Sequence, residues 1–181
     1  MASLLGFGQP FGGIMQTAFV VEDIHASIAH FQRDCGAGPF FLLDHFLGEG
    51  QFYRGSASTA DVTIAMGFAG HMQIELIQPL DGNPSVYRET IEQRGYGFHH
   101  FGIACADVDA DLRDYEARGY ALAFRAAVPT GGSVAYLEGG DGAAPGFLEL
   151  IPATPGMDGH FTRMWRAALD WDGSEPVRPF A

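Results

Sequence analysis

An internal repeat constrains this chain more than any other feature of its sequence, because a repeat fixes architecture before any single residue is interpreted. Laid without a gap, segment 16–31 (QTAFVVEDIHASIAHF) meets segment 100–115 (HFGIACADVDADLRDY) with Asp23 on Asp107, Ile24 on Val108, Ala26 on Ala110, Ile28 on Leu112 and Phe31 on Tyr115. Each copy reads as a strand, then an Asp able to accept from the free N–H groups of a first helical turn, then a helix with one apolar face. Glycine suits the left-handed position that ends a helix, which places the two C-termini near Cys35–Gly36 and Arg118–Gly119. The halves also close alike, with IELIQP at 74–79 and LELIP at 148–152. Segments 39–47 and 60–68 supply two more strands to the first half, and 120–127 and 132–138 supply two to the second. The unit is therefore βαβββ, occurring twice in an α+β chain.

The expected organisation is one domain of five parts. A loose N-terminal arm (1–13) leads into a first module (14–80). A connecting helix follows (81–97), with Pro84 near its start and Gly95 at its end. A second module (98–152) precedes a C-terminal segment (153–181), which carries a helix around 160–170 and turns irregular from Trp171.

Charge narrows the function classes. The 181 residues include ten arginines, no lysine and twenty-two acids, for a net charge of −12. Such a chain repels polyphosphates at long range, so neither nucleic acid nor an anionic membrane is an expected partner, whereas a small molecule is. Without lysine there is no Schiff-base chemistry. The apolar runs are short and no secretory leader is recognisable, so a cytoplasmic location is expected. Cys35 and Cys105 stand far apart without a C-x-x-C pair, and are read as two buried thiols. G-x-S-x-G, Walker A, G-x-G-x-x-G and H-E-x-x-H are all absent.

Four polar residues occupy matched places in the repeat. Gln16 and His100 sit among apolar neighbours on the opening strands, and Glu75 and Glu149 sit inside the apolar closing strands. A carboxylate in such surroundings costs several kcal/mol, of order ~3 or more, unless it is paired, protonated or bound to a cation. Taken singly, each has an ordinary explanation: a Glu turned to solvent, a hydrogen-bonded core His, an interior amide. Taken together, three oxygen donors and one nitrogen around a pseudo-twofold axis suit a divalent metal. Glu149 first and Glu75 second are the candidate proton-transferring residues.

His99, preceding His100, is expected on the opposite strand face, in a supporting role. His25 and His30 fall on the first helix as surface or packing residues. His45, His71 and His160 have no repeat counterpart, although His71 could approach a ligand. Gly131–Gly132–Ser133 reads as a turn, and Phe19, Phe46, Phe52 and Phe101 are candidates to line a pocket.

The stretches IELIQPL (74–80), GFHHFGI (97–103) with Asp107, and FLELI (147–151) resemble the vicinal oxygen chelate superfamily, over roughly residues 14–152. The Gly-x-His-His strand paired with that closing strand is similar to methylmalonyl-CoA epimerase-like members. Gln16 stands where those proteins usually carry His. The set Gln16, Glu75, His100, Glu149 resembles instead the zinc site of some glyoxalase I enzymes. The resemblance implies the cleft fold of the glyoxalase, bleomycin-resistance and dioxygenase proteins, frequently a homodimer. It implies one divalent ion, Zn first, with Ni, Co, Mn or Fe compatible. It further implies an isomerase, epimerase or lyase working through a metal-stabilised enediolate of a carbonyl or thioester substrate. A non-catalytic protein binding a hydrophobic or aromatic ligand is the alternative, as is a ring-cleaving dioxygenase, whose two-His, one-carboxylate iron site Gln16 breaks. The acidic charge and missing lysine sit awkwardly with a coenzyme A handle.

Overall fold

The computed structural model describes residues 3–140 and 145–181. The first module comprises β1 (Ile14–Val20), α1 (Ile24–Cys35), β2 (Phe40–Phe46), β5 (Val62–Ala69) and β6 (Met72–Pro79), with a small hairpin, β3 (Phe52–Tyr53) and β4 (Ser56–Ala57), inserted before β5. After α2 (Val86–Arg94), the second module repeats the pattern as β7 (Gly97–Cys105), α3 (Val108–Ala117), β8 (Tyr120–Ala127), β9 (Ser133–Gly139) and β10 (Phe147–Pro152). α4 (Pro155–Leu169) and β11 (Val177–Pro179) follow.

All strands join one sheet in the order β11-β2-β5-β6-β1-β7-β10-β9-β8-β3-β4. Its pseudo-twofold axis runs between β1 and β7, which pair antiparallel, while β6 runs parallel to β1 and β10 parallel to β7. Period-two alternation sorts the side chains onto two faces. One face is covered by α1, whose Ile24 and Ile28 pack on Phe40, Ala65, Ile74 and Leu76, and by α3, whose Val108 and Leu112 pack on Ile103, Ala135, Leu137 and Leu150. The other face curls around the main core and is closed by α2, α4 and the N-terminal segment.

The helix boundaries follow their caps. Asp23 accepts from Ala26 N at 2.9 Å, and Asp107 from Ala110 N at 3.0 Å. Gly36 takes the left-handed conformation beyond α1 (φ 64°), which only glycine enters at little cost. α4 starts earlier than expected, because Thr154 caps it and Pro155 suits a first turn whose N–H has no helical partner.

Two expectations about the ends are corrected. The N-terminal segment is not loose: Phe7 is fully buried against Phe68 and Phe161, and Gly6 N donates to Asp158. The tail beyond Trp171 is not wholly irregular, because Val177–Pro179 adds parallel to β2 at the sheet edge. Cys105 is buried as expected, but Cys35 is exposed at the end of α1, on the solvent side of the helix terminus.

Candidate metal centre

Two rows of side chains cross the inner face of the sheet side by side. Strand register puts Gln73, Gln16, Gly102, Glu149 and Tyr136 in one row, on β6, β1, β7, β10 and β9. The second row holds Met66, Glu75, Ala18, His100 and Phe147, on β5, β6, β1, β7 and β10. The pseudo-twofold exchanges the rows: Gln16 with His100, Glu149 with Glu75, and Gly102 with Ala18. Four sequence-distant polar residues thus meet because the repeat places them on the four central strands.

The meeting is close. His100 Nε2 lies 3.0 Å from Glu149 Oε2, 3.1 Å from Gln16 Oε1 and 3.4 Å from Glu75 Oε2. All four residues are at least 95% buried, from 0% exposure for His100 to 5% for Glu149. Ligands of one divalent ion at bonds of about 2.1 Å stand roughly 3.0–3.4 Å apart, for octahedral and tetrahedral geometry respectively. The observed separations fall in that range.

Hydrogen-bond polarity strengthens the fit. His99 Nε2 faces the Val86 carbonyl at 3.3 Å, and a carbonyl only accepts, so that nitrogen carries a proton. Burial first, and then the His100 ring, hold the His99 imidazole well below its ordinary value, so it is neutral and its Nδ1 is an acceptor. His100 Nδ1, 2.7 Å away, must then be the donor. With the Nδ1 proton used in this way, His100 Nε2 faces three oxygens, an arrangement that needs a proton or a metal ion among them. Burial and the neighbouring Glu149 push the Glu75 carboxyl well above the usual carboxylate range. Glu75 Oε2 also has no hydrogen-bond partner among the described residues. Glu75, His100 and Glu149 therefore form a group that could hold a metal ion, with Gln16 Oε1 as a fourth donor.

The expected placement of His99 is corrected. Against Ala18 and Phe19, β7 presents His100 and Phe98, so His99 is an extra residue without a cross-strand partner. Such a bulge turns two consecutive side chains to one face, and both rings enter the interior against Tyr136. β1 has the matching irregularity: Ile14 and Gln16 face Ile103 and Gly102, leaving Met15 extra. In each half the residue before the ligand position is the bulged one. His99 meets His100 from the same side, not from behind.

Gln73 was not singled out in the sequence. It is fully buried, and its Oε1 accepts from Gln16 Nε2 at 2.8 Å, which turns the Gln16 carbonyl oxygen toward His100. The signal was available, because Gln73 lies two residues before Glu75 and so shares its face.

A cleft of about 690 Å³, including its open mouth, lies over the rows, and Gln16, Glu75, Glu149, Tyr87 and Tyr136 line it. Of the four phenylalanines named from sequence, only Phe46 lines it. Phe19 and Phe101 lie on strand positions facing the other way, and Phe52 is exposed on the hairpin. His71 does not approach the cleft: its Nδ1 bonds the Phe7 carbonyl at 2.7 Å and its ring lies against Trp165. His25, His30, His45 and His160 also lie outside it; His45 pairs with Asp61 and His160 stacks on Phe180.

Known proteins agree with this architecture. Residues 15–136 match the family model described as glyoxalase/bleomycin resistance protein/dioxygenase superfamily. A methylmalonyl-CoA epimerase from Mycobacterium tuberculosis superposes with a TM-score of 0.59 at 19% identity, covering 88% of this chain and 96% of its own. A Streptomyces coelicolor methylmalonyl-CoA epimerase, solved with 2-nitronate-propionyl-CoA, gives a TM-score of 0.57 at 17% identity, covering 80% and 99%. A Bacillus halodurans C-125 protein described as hypothetical gives 0.58 at 20% identity, covering 78% and 94%. At such identities these likenesses concern the fold. No curated protein matches by sequence. With a family model matched over more than half of its length, and with paired βαβββ modules around a shared cleft, the chain belongs to the glyoxalase/bleomycin resistance protein/dioxygenase superfamily.

Proposed function

We propose that the protein is a divalent-metal-dependent isomerase or epimerase, or a lyase sharing the same first step, acting on a small carbonyl or thioester substrate. One observation carries this reading: a single imidazole nitrogen faces three oxygens at 3.0–3.4 Å, two of them from carboxylates, at the floor of a cleft. When bound, the cation supplies positive charge that stabilises an oxygen next to a carbon losing its proton.

The chain's own residues would do the rest. Glu149 is the first candidate to take the proton and Glu75 the second. Because the pseudo-twofold relates them, they flank the ligand position from opposite sides. A proton removed and returned by one carboxylate gives an isomerisation; removal by one and return by the other inverts a centre. Gln16 and His100 hold the site between them, and Gln73 and His99 fix their orientation. The epimerase relatives lend this reading support at the level of fold. The dioxygenase alternative finds less, because the set contains one imidazole where the iron site needs two.

The test starts with elemental analysis of the purified protein, never exposed to chelator, beside a Glu75→Ala, Glu149→Ala double variant. About one equivalent of Zn, Ni, Co, Mn or Fe, lost in the variant, is expected. Carbonyl compounds are then screened for solvent-deuterium uptake, which Glu149→Gln should abolish. Absence of metal from both proteins, even after reconstitution, overturns the proposal.

A further inference from the structure

The cleft is unusual in what its walls lack. None of the ten arginines lines it, and apart from the metal-centre residues its polar lining is Gln51, Tyr87, Thr130 and Tyr136. Arginines on neighbouring elements are engaged elsewhere: Arg54 by Glu89 and Glu138, Arg125 by Asp109, Arg163 by the Phe180 carbonyl. The remaining walls are apolar, including Phe46, Val62, Ile64, Met66, Phe124 and Phe161. A ligand carrying phosphates would find no counter-charge here and would approach a protein of net charge −12. Removing a charged group from water into such a lining is costly unless it is paired.

Two hydroxyls stand out against this background. Tyr87 on α2 and Tyr136 on β9 are 5% and 3% exposed, and their oxygens lie 3.5 Å apart, the long limit of a hydrogen bond. Each hydroxyl has one proton. When one donates to the other, the second proton has no acceptor among the described residues, and it belongs to a group on the cleft wall. The Gln51 amide is oriented by Ala60, its oxygen accepting from the Ala60 N–H and one of its N–H groups donating to the Ala60 carbonyl. Tyr136 lies directly across from Glu149 in the sheet, and its ring packs 5.0 Å from that of His100, beside the metal centre. A phenolic hydroxyl is a donor at neutral pH, so the unused proton of the pair is available to a ligand.

We infer that the cleft takes an uncharged, apolar molecule bearing a carbonyl-type oxygen, and that the Tyr87–Tyr136 hydroxyl pair binds that oxygen by donating to it. This deepens the proposed function, and takes from it that the cleft over the metal centre is the substrate site. It separates the protein from a coenzyme A thioester as substrate while keeping the carbonyl chemistry.

Displacement of the neutral fluorophore N-phenyl-1-naphthylamine tests the inference. The competitors are 2-acetonaphthone, its hydrocarbon counterpart 2-ethylnaphthalene, and propionyl-CoA. The wild-type protein should bind the fluorophore, and the ketone should displace it at a concentration about 3- to 10-fold lower than the hydrocarbon, the value of one net hydrogen bond. Propionyl-CoA should not compete. Tyr87→Phe and Tyr136→Phe, singly and together, should remove the ketone's advantage and leave the hydrocarbon unchanged; the single variants guard against misfolding of the double one. Metal content is read on the same wild-type sample. A metal-free wild-type protein that still prefers the ketone would overturn the proposed function but not this inference. Failure to bind the fluorophore, equal displacement by ketone and hydrocarbon, an advantage that survives both Tyr variants, or tighter competition by propionyl-CoA would overturn it.

Discussion

Two residues beyond Gln16 and His100 the repeat places its smallest side chains, Ala18 and Gly102. Ala18 sits in register between Glu75 and His100, and Gly102 between Gln16 and Glu149. Where four polar side chains converge, the intervening strand positions must stay empty. Gly102 shows this most sharply: a Cβ there would lie 2.5 Å from Gln16 Oε1, 2.8 Å from Ile151 Cδ1 and 2.9 Å from Gln16 Cβ. Gln16 cannot swing aside freely, because Gln73 holds its amide nitrogen. Gly102→Ala should therefore displace Gln16, cost about 1–3 kcal/mol of stability by overpacking, and weaken metal binding about 10- to 100-fold, as loss of an orienting contact does. Metal titration followed by thermal unfolding checks both. Wild-type affinity in a folded Gly102→Ala protein would show that Gln16 Oε1 is not a ligand. The four converging positions were visible in the sequence because each is a polar residue inside an apolar pattern. The role of Gly102 was not, because a glycine in a strand does not announce which neighbour occupies the space it leaves.

At the scale of elements, period and capping predicted helices and strands well, whereas pairings between distant elements escaped notice. The bulges at Met15 and His99 are invisible to period-two reading, since an inserted residue inverts the face only when the partner strand is known. The β3–β4 hairpin is a second example. It belongs by sequence to the first module but pairs with β8 of the second. Its turn residue Arg54 binds Glu89 of α2 through two nitrogens, at 2.6 and 2.8 Å, and reaches Glu138 at 2.9 Å, while Tyr53 donates to Glu89 at 2.7 Å. Burial alone would raise the Glu89 carboxyl, but the hydrogen bonds from Arg54 and Tyr53 outweigh it and hold the group below its ordinary value. A depressed carboxylate stabilises the fold above its unfolded value, near pH 4.3, and that contribution disappears as pH falls through the lower folded value. Arg54→Ala should therefore cost about 1–3 kcal/mol at pH 7. The gap from wild type should close as the pH drops below about 4, measured by denaturant unfolding across that range. A gap independent of pH would mean that the hairpin is held by packing and not by the carboxylate.

Seen as a whole, the molecule is a symmetric core with asymmetric ends, and sequence reading succeeded where the symmetry is. The duplicated unit identifies its own boundaries, because each half serves as the other's control. The ends have no counterpart, so nothing in the sequence distinguished a loose arm from one anchored by Phe7, or an irregular tail from one that adds a strand. Yet the tail closes the sheet. β11 pairs with β2, Phe180 N donates to Leu42 O, Arg163 bonds the Phe180 carbonyl, and the Phe180 ring lines the cleft. The metal-centre strands lie inward, with β2 and β5 between them and the tail. Truncation after Ser174 should therefore separate two properties that point variants in the rows would disturb together. Metal content should stay at the wild-type level, because no ligand or orienting residue is touched. Binding of N-phenyl-1-naphthylamine should fall at least several-fold, because one wall is removed and β2 becomes an edge. Phe180→Ala isolates the ring from the strand: it should weaken fluorophore binding similarly, and cost about 3 kcal/mol, the low end for a buried aromatic because one side faces the cleft. If metal were lost along with the fluorophore, the tail would be holding the whole sheet in its curl; if neither changed, Phe180 would be a cover over the cleft and no part of its binding wall.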